Sequence, residues 1–293
     1  MLIGNNPLDE KPEWFKKNIE IIPQSKHVEV ENKKIKYFIW GDESLPKLIF
    51  LHGFNAHSYW WSHIAPFFNA KYCVVALDFS GMGESEHREE YSQAMYSKEI
   101  KAVVDEMECT KPICLAHSMG GAIAMFSTSM FPDLFSKIIL LDSVVVLPPE
   151  KAEMMKSRRP KSRMEIASDS IDNAISRFRL MPPQPCAQEY VLEYIAKTSY
   201  RETEQGWILK SDPKISSTYK YNDLHEMMMN PKTDLEIIYG QLSQVFTPDV
   251  LDYMKDAGQL DETKIHRLEG AMHHLFLDRP LEFKDLVLKI LEN

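Results

Sequence analysis

Short apolar runs, separated by stretches with helical periodicity, organise most of the chain. Six of these runs have the length and apolar content of strands buried inside a sheet. They occupy residues 47–51, 73–79, 113–116, 138–142, 235–240 and 264–268. Residues 28–31 and 35–40 alternate loosely between apolar and polar side chains, which predicts an antiparallel hairpin. Because helical segments alternate with these strands, we predict a doubly wound, mainly parallel sheet of eight strands.

Helical segments are indicated where apolar residues recur three and four positions apart. Residues 96–107 carry such a stripe, and residues 281–291 predict an amphipathic closing helix. Apolar residues at 122–126, after the turn that follows the strand at 113–116, predict a further helix. No internal repeat or low-complexity tract interrupts this order.

The composition changes between about residues 146 and 231. This stretch is basic, Met-rich and Pro-rich in places, has helical stripes at 171–178 and 191–198, and lacks strand alternation. We therefore predict a core domain formed by residues 1–145 and 232–293. Residues 146–231 are predicted to be a mostly helical cap, inserted after the sixth strand.

Functional sites in doubly wound sheets lie outside the carboxyl ends of the strands. Six loops of this chain are expected at that edge. They are 52–55, 78–85, 116–121, 142–148, 240–249 and 269–275. The inserted segment leaves the core from the same edge, so we expect it to roof the site.

The most distinctive of these loops is 116–121, between an apolar strand and a helix. A serine on such a sharp turn is lifted clear of its neighbours, so the Ser118 hydroxyl can meet a substrate. Ala116 and Gly120 supply the small residues needed two positions before and after it, although Ala116 replaces the glycine of the usual G-x-S-x-G pattern. An ordinary small-residue turn is the alternative. The strand–turn–helix context favours a nucleophile elbow.

Two other glycine loops carry possible chemistry. Gly53 ends a strand, where glycine lets the backbone turn with its N–H groups exposed, as an oxyanion site requires. A simple tight turn is the alternative there. Gly81 and Gly83 are spaced as in a phosphate-binding loop, but the third glycine is missing and no helical pattern follows at once. A structural turn is the favoured interpretation of this second loop.

Composition and charge narrow the functional classes. The chain has 293 residues, of which 44% are hydrophobic and 26% charged, as is usual for a soluble globular protein. The formal net charge of −9 argues against broad nucleic-acid binding, because phosphate contact needs a positive surface. The basic cluster at 156–163 is short and flanked by acids, which favours a solvated helix end or loop.

Cysteine usage and apolar segments bear on location. The four cysteines include no C-x-x-C pair and fall mostly in or beside apolar stretches, which predicts buried free thiols in a reducing compartment. Residues 1–17 lack the apolar core of a signal peptide. The longest apolar stretch, 138–147, contains Asp142 and is too short to span a bilayer. We expect a cytoplasmic protein without a membrane anchor.

Four motifs, in this order along the chain, resemble those of the α/β-hydrolase family. They are His52-Gly53-Phe54, Asp78-x-x-Gly81-x-Gly83-x-Ser85, residues 117–121, and residues 270–273 followed by Asp278-Arg279-Pro280. Residues 174–180 and the Gly206-Trp207-x-x-Lys210-x-Asp212-Pro213 segment are similar to the capped, serine esterase-like branch. The resemblance implies the α/β-hydrolase fold and a hydrolytic reaction.

The resemblance also implies a nucleophile and a base. Ser118 occupies the nucleophile position, which excludes relatives that use aspartate there to open epoxides or remove halogens. A serine hydroxyl is a weak nucleophile and needs a base within hydrogen-bond reach. His273 matches the family position of the base, counted back from residues 278–280. His274 competes for that role and is interpreted as a packing residue or part of the active-site wall.

The acid is harder to assign from the resemblance. In much of the family it lies three residues after the glycine that ends the seventh strand, here Gly240, but this position holds Ser243. The alternative family position, at the end of the sixth strand, holds Asp142. A carboxylate in so apolar a run costs several kcal/mol unless it is paired, and a cationic histidine would supply the partner. An aspartate that caps backbone N–H groups is the alternative, and Asp249 is the reserve acid.

With these residues we expect hydrolysis of carboxylic esters of small to medium acyl chains through an acyl-enzyme. The backbone N–H groups of Phe54 and Met119 would form the oxyanion hole. Neither a metal nor an organic cofactor is expected, since no H-E-x-x-H or clustered cysteine pattern occurs. The same triad would serve a carbon–carbon bond hydrolase, a thioesterase or an amidase. The missing seventh-strand acid also leaves open a catalytically silent binding protein.

Aromatic residues of the cap are candidates for substrate binding. Together with His274, four of them would line an apolar pocket: Phe178, Tyr190, Tyr194 and Trp207. Burial in a small core of the cap itself is the alternative for each. The expected partner is a small-molecule ester and not a nucleic acid, and a homodimer is left open.

Overall fold

The computed structural model of the chain describes residues 11–157, without side chains at 155–157, and residues 165–292. Within these residues, eight strands form one sheet and two more form a hairpin. The strands are β1 Gln24–Val30, β2 Lys33–Trp40, β3 Lys47–Leu51, β4 Cys73–Leu77, β5 Ile113–His117, β6 Lys137–Leu141, β7 Tyr200–Thr203, β8 Gly206–Leu209, β9 Asp234–Gly240 and β10 Ile265–Leu268.

The large sheet has the strand order β1-β2-β4-β3-β5-β6-β9-β10. Only β2 pairs antiparallel, with β1 on one side and β4 on the other. The remaining pairs are parallel. The predicted doubly wound, mainly parallel sheet of eight strands is therefore confirmed. Because β4 and β5 lie on opposite sides of β3, the strand order changes direction there, and ligand sites of such sheets lie at this switch point.

The helices of the described residues connect these strands. They are α1 Glu13–Glu20, α2 Gln93–Glu106, α3 Met119–Met130, α4 Pro149–Ser157, α5 Ile171–Arg177, α6 Glu189–Thr198, α7 Ile215–Thr218, α8 His225–Met229, α9 Pro248–Gly258, α10 Leu275–Asp278 and α11 Pro280–Leu291. Short 3₁₀ turns lie at Ser58–Trp61, Ala65–Phe68 and Glu262–Lys264. The helices α1 and α9 were not predicted from the sequence.

The central strands are buried on both faces, which is why they are continuous apolar runs. In β3, Ile49 and Leu51 pack into the cluster that contains α2 and α3, whereas Leu48 and Phe50 face the opposite cluster. The ring of Phe50 contacts that of Trp61 at a centroid distance of 5.2 Å. Burial of each such side chain contributes about 1.5–3 kcal/mol to the stability of the folded state. This rigid core fixes the ends of β3, β5 and β6, from which the site is built.

The inserted segment, residues 146–231, contains the helices α4 to α8, in agreement with the helical stripes. It also contains the antiparallel hairpin β7–β8, which the sequence did not predict. The segment is attached to the core by backbone hydrogen bonds from Gly83 N–H to the Lys210 carbonyl (2.8 Å) and from Asp212 N–H to the Gly81 carbonyl (2.7 Å). The glycine loop at 81–83 thus serves as a structural turn that receives the insertion. The domain boundaries themselves stay a prediction.

Two sequence-based expectations concern regions that are only partly described. The basic cluster at 156–163 lies outside the residues whose side chains are described, as do residues 1–10 of the amino-terminal stretch. In the described part of the chain, no helix combines the length and the apolar character needed to cross a membrane.

Candidate active site

Ser118 occupies the sharp turn between β5 and α3. Its backbone adopts φ 52° and ψ −121°, a conformation that non-glycine residues rarely adopt and that is concentrated at functional sites. The Ser118 N–H donates to the Leu141 carbonyl at 3.1 Å, which ties the turn to the neighbouring strand β6. The residue is half-buried. The predicted strand–turn–helix geometry of the elbow is present.

Two glycines allow the helix after Ser118 to start directly against the sheet. A Cβ on Gly120 would lie 2.7 Å from the carbonyl oxygen of His52. A Cβ on Gly121 would lie 2.2 Å from the hydroxyl of Ser143. Both distances are shorter than real contacts, so larger residues at these positions would push α3 away from the strand ends.

Three side chains from three separate loops meet at the elbow. The Ser118 hydroxyl lies 3.0 Å from His273 Nε2, and His273 Nδ1 lies 2.8 Å from Asp142 Oδ1. Asp142 is fully buried and the His273 side chain is 3% exposed. A carboxylate only accepts hydrogen bonds, so Nδ1–H donates to Asp142 and Nε2 is left to accept from Ser118. This is the geometry of a nucleophile, a base and an orienting acid.

The buried carboxylate of Asp142 is held by further donors. The Gly240 N–H donates to Oδ2 at 2.8 Å, and the Ser243 hydroxyl donates to Oδ1 at 2.7 Å. Together with His273, these contacts compensate for the cost of burying the carboxylate. Sequence reasoning missed this contact of Ser243, although the residue stands at the more common family position of the acid. Its hydroxyl supports the carboxylate from the adjacent strand.

Asp249, the reserve acid, lies elsewhere. It is in the first turn of α9 and exposed, and its carboxylate pairs with the Lys151 ammonium at 2.7 Å. Hydrogen bonds from Lys151 and Thr247 lower the pKa of this carboxyl. The structure brings Asp142, and not Asp249, to the imidazole of His273.

The two loops that carry the proposed oxyanion donors meet at Ser118. A Cβ on Gly53 would lie 2.9 Å from His117 Nδ1 and 3.2 Å from the Cβ of Ser118, so the loop after β3 passes directly over the elbow. Phe54 follows in this loop. Met119 is the first residue of α3, and the first N–H groups of a helix have no partner within it. Met119 thus begins its helix at the Ser118 turn, and Phe54 lies one residue beyond Gly53 in the loop that contacts this turn.

Two more histidines surround the base. His117 donates from Nε2 to the carbonyl of His273 at 3.0 Å. His274 shares a 2.9 Å hydrogen bond between its Nδ1 and the side-chain oxygen of Gln184, whose amide nitrogen donates to Asp278 at 3.0 Å. Burial holds the pKa of both histidines well below the ordinary value. Gln184, in the insertion, carries no sequence signal that would have marked it.

The predicted aromatic residues divide into two groups. The rings of Tyr190 and Tyr194 pack on Phe15 of α1, at centroid distances of 4.8 and 6.1 Å, as expected for a packing role. Phe178 lies 6.4 Å from Trp60, a residue the sequence did not single out.

Trp60 connects this second group to the site. Its ring lies 5.5 Å from that of His274, so Trp60 links Phe178 to the wall beside the base. Trp207 exchanges backbone hydrogen bonds with Ser168, at 2.7 and 2.9 Å, within the insertion. Phe178 and His274 are thus the predicted binding residues with a contact path to the triad.

Comparison with known proteins supports the fold. The family model described as alpha/beta hydrolase fold matches residues 46–280. A serine hydrolase-like protein of Danio rerio is 24% identical over 190 residues, which cover 61% of this chain and 58% of that protein. Epoxide hydrolase 4 of Mus musculus is 32% identical over 112 residues, or 37% of this chain and 31% of that protein. The chain thus matches less than two thirds of either relative's length.

Solved structures resemble the chain over most of its length. An E-2-(acetamidomethylene)succinate hydrolase has a TM-score of 0.76 and 16% identity, and the match covers 92% of this chain and all (100%) of that chain. The thioesterase domain from the curacin biosynthetic pathway has a TM-score of 0.74 and 23% identity, and the match covers 91% of this chain and 99% of that chain. At such identities the likeness supports the fold alone.

Proposed function

Because this chain belongs to the alpha/beta hydrolase fold family, we propose that it is a serine hydrolase that cleaves carboxylic esters of small to medium acyl chains. The observation that carries the proposal is the continuous contact from the Ser118 hydroxyl through His273 to the buried carboxylate of Asp142, at 3.0 and 2.8 Å. These are the parts that nucleophilic acyl transfer requires.

The reaction begins when Ser118 Oγ attacks the ester carbonyl while His273 Nε2 takes the hydroxyl proton. The imidazolium that forms is stabilised by Asp142 through Nδ1–H. His273 then returns the proton to the leaving alkoxide, and the acyl group stays on Ser118. Water, deprotonated by the same nitrogen, attacks this acyl-enzyme, and His273 returns that proton to Ser118 Oγ as the carboxylic acid is released. Every proton moves through His273 Nε2.

The tetrahedral intermediates place negative charge on the former carbonyl oxygen. We assign its stabilisation to the backbone N–H groups of Phe54 and Met119, which flank the elbow. Removal of one such donor costs about 3 kcal/mol in comparable enzymes. Since both are backbone groups, side-chain substitution at either position would not delete the donor.

Residues 146–231 are proposed to act as the cap that sets acyl-chain preference. Phe178 of this segment contacts Trp60, whose ring contacts that of His274 beside the base. An apolar wall of this kind binds acyl chains by burial and contributes about 0.8 kcal/mol for each methylene that leaves water. Chain length is therefore the substrate property that the cap discriminates.

The proposal is tested with p-nitrophenyl esters of increasing acyl length, assayed beside matched thioesters, anilides and a carbon–carbon substrate. We expect the highest kcat/KM for an ester, with a maximum at small to medium chain length. A higher kcat/KM for a thioester, an amide or a carbon–carbon bond would retain the triad and reassign the bond. Absence of turnover on all four, with a native circular dichroism spectrum, would favour a silent binding protein.

A further inference from the structure

Three imidazole rings are packed together beside the elbow. The ring centroids of His117, His273 and His274 are 4.7, 4.9 and 5.3 Å apart in pairs. One ring nitrogen of each residue lies within 4.8 Å of the corresponding nitrogens of the other two. All three residues are buried. Because the three rings are this close together, one ligand could contact all of them.

Each ring has one nitrogen committed to a fixed acceptor. His273 Nδ1 faces Asp142 (2.8 Å), His117 Nε2 faces the His273 carbonyl (3.0 Å), and His274 Nδ1 faces Gln184 Oε1 (2.9 Å). A neutral imidazole that donates from one nitrogen presents a lone pair on the other. Metal-binding histidines in proteins almost always donate their second nitrogen to a carboxylate, a backbone carbonyl or a similar acceptor. The contacts of His117 and His273 are thus those of supported metal ligands, whereas the ring of His274 also contacts a second acceptor, the Met181 carbonyl.

His117 supplies the second, independent observation. Its Nδ1 is buried and has no hydrogen-bond partner among the described residues. A buried polar atom without a partner is uncommon and calls for an explanation, such as a bound ion or water. Nε2 of His117 donates to the His273 carbonyl, so the lone pair of the ring lies on Nδ1, where it is available to a cation.

We propose that His117, His273 and His274 form a zinc-binding site. Imidazole nitrogens suit Zn²⁺, and three histidines with an open fourth position make a usual zinc coordination set. Zinc–nitrogen bonds of about 2.1 Å in tetrahedral geometry separate the nitrogens by about 3.4 Å. The three nitrogens, which lie within 4.8 Å of one another, must therefore approach by up to about 1.4 Å. Bound zinc must also displace the contact between His274 and the Met181 carbonyl.

The position of Asp142 favours a cation at this point. Its carboxylate lies behind His273 and forms the carboxylate–histidine pair that supports zinc in many sites. Bound zinc would occupy His273 Nε2, the nitrogen that must accept the Ser118 proton. Zinc is therefore expected to inhibit hydrolysis, a consequence that rests on the proposed function, whereas the binding itself does not.

Binding is tested first, by isothermal titration of ZnCl₂ into the full chain after removal of bound metal by chelator dialysis. We expect one zinc per chain at micromolar zinc, and no comparable binding of MgCl₂, because Mg²⁺ prefers oxygen ligands. His273→Ala and His274→Ala should each weaken zinc binding by about tenfold or more. His225→Ala, a matched change of a half-buried histidine on α8, should not.

Ser118→Ala separates the two proposals because it removes the nucleophile and leaves all three imidazoles. We expect this variant to bind zinc like the wild type. Zinc should also block labelling of wild-type Ser118 by a fluorophosphonate, and EDTA should restore it. Unchanged zinc affinity in both His273→Ala and His274→Ala, or no binding by the wild type, would overturn the zinc site without touching the hydrolase proposal. Tight binding together with absent hydrolysis would overturn only the latter.

Discussion

Asp142→Asn tests the acid, the member of the proposed triad that was hardest to assign from the sequence. The carboxylate has two oxygens that only accept, one for the Gly240 N–H and one for Ser243 and His273. An asparagine carbonyl can replace one of them, but its NH₂ group must take the place of the other. Either orientation therefore creates a mismatch inside a fully buried site.

The two orientations have different consequences. With the carbonyl toward Gly240, the NH₂ group faces His273 Nδ1 and donates to it. The imidazole then carries its proton on Nε2 and cannot accept from the Ser118 hydroxyl. With the carbonyl toward His273, the NH₂ group meets the Gly240 N–H, and two buried donors oppose each other at a cost of about 1–3 kcal/mol. The first orientation is favoured, and in it the base is blocked.

Loss of the charge adds to this effect. Two unit charges about 4 Å apart attract by about 4 kcal/mol at an effective dielectric constant of about 20, and this attraction exists only while His273 is cationic. A barrier increase of that size lowers the rate by about a thousandfold. With the tautomer effect, we expect kcat to fall by between about a thousandfold and ten-thousandfold, with little change in KM.

The assay is kcat and KM for the best p-nitrophenyl ester, with circular dichroism and thermal unfolding as controls for the fold. Asp249→Asn is the matched control: its carboxylate is exposed beside Lys151, and it should keep wild-type kcat. Ser243→Ala leaves the charge and the other hydrogen bonds of Asp142 intact, so it should lower kcat by less than about tenfold. A fully active Asp142→Asn together with an inactive Asp249→Asn would refute this assignment of the acid.

Three further outcomes are expected. His273→Ala should lower kcat by several orders of magnitude and His274→Ala by much less, and the reverse order in steady-state kinetics would exchange their roles. Phe178→Ala should change the ratio of kcat/KM values between long and short acyl esters, whereas a uniform loss would indicate damaged folding. Burial lowers the pKa of His63 from 6.5 to about 4. Between these pH values the folded state therefore binds fewer protons than the unfolded state. The free energy of unfolding should fall as the pH drops from 6.5 to 4, by up to about 3 kcal/mol for this residue. Urea unfolding across that range should show a shallower pH dependence for His63→Gln, and an identical slope would contradict the linkage.

The strands and the elbow could be predicted because their sequence signals are local. Strands buried on both faces need continuous apolar runs, and β3, β5 and β6 carry them. The turn at Ser118 needs small residues at fixed offsets, and Gly120 satisfies one of these through its contact with the strand before the oxyanion loop. The hairpin β7–β8 carried no comparable signal, because its two strands have four residues each and neither alternates clearly.

The surroundings of the site could not be read from the sequence. Ser243 contacts Asp142 across 101 positions of the chain, and Gln184 contacts His274 across 90. Neither residue type nor spacing indicates such contacts, since they exist only after β9 joins β6 and the insertion folds onto the core. The choice of Asp142 over Asp249 rested on the alternative family position at the end of the sixth strand and on the cost of an unpaired carboxylate in an apolar run. The catalytic roles of Ser118, His273 and Asp142 stay predictions.

Labelling of Ser118 by a fluorophosphonate, followed by intact-mass spectrometry and peptide mapping, tests the central claim most directly. We expect one adduct per wild-type chain, located on Ser118, and loss of ester hydrolysis in proportion to labelling. A Ser118→Ala protein with a native circular dichroism spectrum should take up no label and lose nearly all turnover. Substantial hydrolysis by that variant, or an adduct on another residue that accompanies inactivation, would contradict the account.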